Sequence, residues 1–171
     1  MKKIKHNQNF FAVIGVGAVL LYLLSSTEIL TLEIRTATPL LLLPLIVSVA
    51  MAAREWVGLV FGGFCGIMLD ITAAQSYFFN FLTLAVIGCA CGLVCSYLVN
   101  NNFYSALLLS LSSSASYFII HWMVFFLIPA RSDGLVFLLN YSLPSAVYTS
   151  LFIVPFYFAV RFLSRRTSYI E

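Results

Sequence analysis

The chain has 171 residues, of which 62% are hydrophobic and only 9% charged, and its mean hydropathy is +1.03. A soluble domain carries roughly 25% charged residues, so the composition excludes one and points to an integral membrane protein. The net charge of +3 is gathered at the ends, in Lys2, Lys3 and Lys5 and in Arg161, Arg165 and Arg166. That placement excludes a nucleic-acid patch along a solvated face and fits anchors at an anionic membrane surface.

At about 17–25 residues per helix, the length accommodates about six spans in one polytopic domain covering the whole chain. Residues 1–9 form a polar basic head. The apolar run that follows resembles a signal-peptide core, but Ser25-Ser26-Thr27-Glu28 is no small-residue cleavage site and further spans follow. It therefore reads as a retained first span, 10–26, with Gly15 and Gly17 as close-approach points. The loop 27–38 carries Glu28, Glu33 and Arg35, and its alternating Ile29, Leu32 and Ile34 suit a segment lying on the membrane surface. Thr38-Pro39 supplies a hydroxyl cap followed by a proline that needs no N–H. The second span, 39–53, contains Pro44 and is short, so the bilayer thins around it or its neighbours bury it.

Arg54-Glu55 turns the chain into the third span, 55–71, which carries the most information. Gly58, Gly62 and Gly66 are spaced by four, with Gly63 beside them; Arg54 and Asp70 continue the rhythm outward. Four residues advance a helix by about 40° beyond a full turn, so the three glycines share one face about 80° wide. The spacing predicts a groove for close backbone approach, either by a partner's helix or by a helix of the same chain. Asp70 is a carboxylate among apolar residues, costly toward lipid and so expected to face protein or water. Arg54 lies about 24 Å away along the helix, so the partner of Asp70 comes from elsewhere.

The fourth span, 78–99, repeats the glycine spacing at Gly88 and Gly92. Asn100 to Asn102 make an uncharged turn. The fifth, 103–128, holds Ser105, Ser110, Ser112, Ser113, Ser114, Ser116 and His121. A second long loop, 129–140, ends in the apolar run Leu135 to Leu139. The sixth span, 143–163, has Pro144 at its start and a kink expected at Pro155. Six spans put both termini on one side. With that side cytoplasmic, Lys2, Lys3, Lys5, Arg54, Arg161, Arg165 and Arg166 are inside and only Arg35 and Arg131 outside, a clear positive-inside bias.

No catalytic set emerges, so an enzyme is not expected. Ser114 precedes His121 by seven residues, about 10 Å along one helix, beyond hydrogen-bond reach. No G-x-S-x-G precedes a candidate serine, and no phosphate loop occurs. Cys89 and Cys91 point about 200° apart, and with Cys65 and Cys95 they read as core thiols, so neither a metal nor another cofactor is implied. His121 reads as a packing or interface residue, with a ligand or proton site as the alternative. The serines read as helix–helix glue, with a polar pathway as the alternative.

The six spans, the basic ends and the segment REWVGLVFGGFCGIMLDI together resemble the bacterial rod-shape-determining MreD family. There a hairpin's second helix carries spaced glycines and ends in an aspartate, matched here by Gly58, Gly62, Gly66 and Asp70. A glycine commonly follows that aspartate in the family, whereas ITAAQSYFFN has none. The resemblance implies an all-α fold of six transmembrane helices, similar to the substrate-binding S-components of vitamin transporters. It implies a non-catalytic scaffold in the cytoplasmic (inner) membrane, acting in side-wall peptidoglycan synthesis. The implied partners are an MreC-like single-span protein and, through it, a transpeptidase, a RodA-type glycosyltransferase and MreB filaments. The glycine groove and the polar residues Arg54, Glu55, Asp70 and His121 are then the positions of interest. A small-solute-binding subunit of a vitamin-type transporter, with loops 27–38 and 129–140 closing near Asp70 and His121, is the alternative reading.

Overall fold

A computed structural model describes residues 8–26, 40–53, 55–72, 78–97, 102–128 and 141–168. These residues are helical almost throughout: α1 (Gln8–Ser26), α2 (Leu42–Ala52), α3 (Glu55–Thr72), α4 (Phe79–Tyr97), α5 (Phe103–Trp122), α6 (Leu143–Leu151) and α7 (Ile153–Ser168). Among them, Phe79–Tyr97, Phe103–Phe126 and Leu143–Ser164 are long and apolar enough to cross a membrane. Their outward residues, such as Leu82, Val86, Leu108, Ile119, Val147 and Phe158, are exposed hydrophobics. A water-soluble protein would hide such residues, whereas lipid solvates them. The chain is a helical membrane protein.

The centre of the bundle is a short apolar helix. Every residue of α2 from Leu42 to Met51 is buried, and α2 packs against α1, α3, α4, α5, α6 and α7. At 11 residues it is about 17 Å long, short of the roughly 30 Å hydrocarbon thickness. Burial among neighbours, one of the two expectations for so short a helix, is realised. Pro44 sits in the first turn of α2, where its missing N–H leaves no bond unmade, so it causes no kink. Thr38 and Pro39 lie outside the described residues; the helix opens instead at Leu42, after a turn in which Leu43 N donates to Leu40 O at 3.0 Å. The Leu40 N–H donates to the Thr149 hydroxyl of α6 at 3.1 Å. The buried Ser48 hydroxyl is satisfied by the Pro44 carbonyl one turn back, at 2.8 Å.

Three details differ from the sequence reading. The fifth span finishes in a widened π-turn, Met123–Leu127, with Ile128 N donating to Met123 O at 3.1 Å. The sixth span is two helices, because at Phe152 the chain tightens and its N–H bonds Thr149 O at 3.2 Å. Pro155 explains the break: it has no N–H for the Leu151 carbonyl, and its ring crowds that oxygen. Gly15 and Gly17, expected as close-approach points, face open space with nothing within 4 Å of a built Cβ. Arg54, both long loops, and Lys2, Lys3, Lys5, Arg35 and Arg131 lie outside the described residues.

If α2 is the hub, Leu43→Ala, at a side chain with 0% exposure, will lower the unfolding free energy by about 2 kcal/mol. That is the low end for such truncations, because lipid already solvates apolar groups and only the packing loss remains. Equilibrium unfolding in mixed micelles measures it, and an unchanged value would remove α2 from the core.

Candidate functional site

The glycine row is filled by α4 of the same chain. Gly58 meets Gly88, Gly62 meets Leu84 and Ala85, Gly66 meets Asn80 and Phe81, and Gly92 meets Glu55. Moving four residues up α3 therefore moves about four down α4, which is an antiparallel pair in steady register. A Cβ on Gly58 would run into the Gly88 carbonyl, and one on Gly88 into the Gly58 carbonyl. In each glycine the hydrogen standing in that direction points at the other's carbonyl oxygen. Such Cα–H···O contacts contribute about 0.5–1 kcal/mol each. At Gly66 an added Cβ would lie 2.5 Å from Phe81 Cα and 2.6 Å from Asn80 O. Of the two uses the spacing allowed for this groove, internal packing is the one the fold makes. Gly63 differs, because it faces the Phe81 ring, 3.0 Å from a built Cβ, and a ring can shift.

Asp70 finds its partner at the far end of this hairpin. Its Oδ1 accepts from Asn80 N at 3.2 Å and its Oδ2 from Phe81 N at 2.8 Å. Both donors belong to the first turn of α4, whose N–H groups have no intrahelical acceptor. The carboxylate thus caps a helix N-terminus, where negative charge is favoured. The residue preceding α4 is Phe78, with φ at 54°, a left-handed conformation that a bulky side chain rarely adopts. Phe78 offers no capping oxygen of its own, and Asp70 supplies one from the neighbouring helix.

Two further polar residues join the network without having been singled out by sequence. Asn80 is buried, and its Oδ1 accepts from the Tyr117 hydroxyl of α5 at 2.6 Å. This bond ties the capped end of α4 to α5. The signal was present as an amide inside an apolar span, which must find a partner; its partner, a tyrosine in a serine-rich helix, carried no such mark. His121 stands one turn beyond Tyr117 and is half-buried among rings, with centroids at 5.8 Å from Phe79, 6.3 Å from Tyr117 and 4.6 Å from Phe125. Phe79 meets Phe125 edge to face at 5.2 Å, so the histidine is one wall of an aromatic cluster over the Asn80–Tyr117 bond.

At the opposite end of α3, Glu55 accepts a long hydrogen bond from Ser96 at 3.4 Å, while Gly92 packs on its backbone. Cys95 lies nearby, its thiol 3.8 Å from the Met51 carbonyl. Cys65 and Cys91 are buried. Among the described residues, no three His, Cys, Asp or Glu side chains gather where a metal could be held. The structure thus separates the sequence candidates into a backbone-to-backbone lock (Gly58, Gly62, Gly66), an acid cap (Asp70), an aromatic cluster (His121) and a weakly bonded carboxylate (Glu55). In comparisons with protein-family models, curated proteins and solved structures, nothing matches this chain.

Glycine-to-alanine substitutions should follow the geometry. Gly58→Ala, Gly62→Ala and Gly66→Ala will each sharply reduce recovery of folded protein, because the obstacle is backbone. Gly63→Ala will have a small effect, and Gly15→Ala none; monodispersity on size-exclusion chromatography ranks them, and equal behaviour across the series would refute the lock.

For the cap, Asp70→Ala will destabilise by about 1–2 kcal/mol and speed amide exchange at Asn80 and Phe81. Asp70→Asn, which keeps one acceptor, will have a smaller effect. Hydrogen–deuterium exchange resolved to those two amides checks this, and unchanged protection would remove the cap.

Proposed function

We propose that this chain is a non-catalytic scaffold subunit of the MreD type: a six-span protein of the bacterial cytoplasmic membrane, with both termini inside. In this reading it serves cell shape and side-wall peptidoglycan synthesis by binding an MreC-like single-span partner. Through that partner it meets a transpeptidase, a RodA-type glycosyltransferase and MreB filaments. The observation that carries the reading is the α3–α4 hairpin, whose spaced glycines end in an aspartate committed to backbone capping. A carboxylate holding two amide hydrogens is a fastener, and a helix pair locked backbone to backbone makes a stiff rib. Stiffness is what a scaffold requires, since a docking surface that is already ordered loses little entropy on binding.

Because α4 occupies the glycine face, the partner's helix meets a different side of α3. Trp56, Val60, Phe64, Ile67 and Ile71 recur at helical spacing and are all exposed. They form a ridged stripe opposite the glycines, long enough to lie along a single transmembrane helix. The six-span reading counts α1, α2 and α3 as spans beside the three long apolar helices, with α6 and α7 making up the last.

Purification of the tagged chain from native membranes in mild detergent, with mass spectrometry of co-eluting proteins, tests the proposal. The expected companions are a single-span protein with an outer coiled coil and wall synthases, and Val60→Trp on the exposed stripe will deplete them while leaving the chain folded. Recovery of a second polytopic subunit with a pair of soluble ATPases would overturn the scaffold and make the chain a transport component.

A further inference from the structure

The serine-rich face of α5 meets α6 along a seam that the scaffold reading leaves unused. Three serine hydroxyls there have an acceptor. Ser114 Oγ lies 3.0 Å from the Leu111 carbonyl on its own helix and 3.1 Å from the Ala146 carbonyl across the seam, sharing its proton between them. Ser113 donates back to Ser110 O at 3.0 Å and Ser150 to Val147 O at 2.7 Å. Three hydroxyls stand apart. Ser110, Ser142 and Ser145 are 0%, 2% and 0% exposed, and their oxygens have no protein partner.

Ser142 and Ser145 are placed to act together. Ser142 already has helical backbone angles, φ −69° and ψ −45°, immediately ahead of α6. A spacing of three on a helix sets their side chains on one face, with Cβ atoms about 5–6 Å apart. Neither oxygen bonds the other or any other protein group, and that spacing lets a single molecule of water size bridge them. Buried hydroxyls left unpaired are unfavourable, and interior water is the usual remedy where at least two polar groups can share it. We propose that the buried Ser142–Ser145 face at the start of α6 binds an ordered water molecule, held jointly by the two hydroxyls. The water belongs to a short helix that departs from α-helical winding at both ends, in a π-turn at residues 141–142 and in a turn at Phe152.

Thermal unfolding of the purified full chain in mild detergent tests this with Ser142→Ala, Ser145→Ala and the double variant. Each single substitution is expected to lower the midpoint by about 2–4 °C, and the double variant to fall no further than either single. Once one hydroxyl is gone the water is lost, and the second substitution removes nothing more. Ser145→Cys, which keeps the volume but bonds water weakly, should reproduce the Ser145→Ala shift. Unchanged or raised midpoints would overturn the proposal, because they mean that the hydroxyls are dry or turned onto their own helix carbonyls. Additive falls in the double variant would also overturn it, since the two hydroxyls would then act separately. The result does not depend on which proteins co-purify with the chain.

Discussion

The contact between the backbones of α3 and α4 is what the remaining structure depends on. Lipid solvates leucine as well as another leucine does, so burial of apolar surface does little to bring two membrane helices together. What remains is fit, and fit improves steeply when the side chains between two helices are removed. Gly58 and Gly88 remove them at the same level on both helices, and each backbone meets the other's carbonyl. The pair gains dispersion and Cα–H···O contacts at no rotamer cost, because there is no rotamer to fix. α2 then packs on the finished pair, as the Ile46 side chain does against Gly88, where a built Cβ would lie 3.2 Å from its methyl carbon. The other helices close around α2.

Polar groups in this arrangement work at the margins. Asp70 finishes the helix that the glycines hold, Asn80 passes that order to Tyr117, and Thr149 ties the start of α2 to α6. Each bond joins two separate elements, and each answers a group that lipid could not satisfy. The molecule is thus organised as an apolar shell with a few polar fasteners, concentrated toward the Asp70 end. The exposed stripe of α3 is apolar except for the Trp56 indole N–H, so a partner lying against it would meet chiefly shape.

Much of this was legible in the residues. The four-residue spacing of Gly58, Gly62 and Gly66 defines one face whatever the tertiary structure, because helix geometry converts spacing to direction. Burial of α2 was one of two outcomes its length allowed. What spacing could not convey was the identity of the helix that fills the groove, since a neighbour in the chain and a foreign helix present the same requirement. Gly15 and Gly17 show the converse: glycine permits close approach without supplying a neighbour. The capping role of Asp70 was hidden for a different reason. Its acceptors serve backbone amides of another helix, and backbone amides have no sequence signature. The Phe152 break fell a few residues before Pro155, as the proline acts on the carbonyl one turn earlier.

The matched glycines also bear on how such a chain can change length. One residue inserted between Gly58 and Gly66 would swing every later glycine about 100° around α3, turning the smooth face toward lipid and a bulky one toward α4. The same insertion in α4 between Leu84 and Gly88 would do equal harm from the other side. Only compensated changes, made in both helices at the same level, preserve the seam. The α3–α4 hairpin therefore behaves as a ruler of fixed gradation, and variation in length is confined to the segments that join the helices.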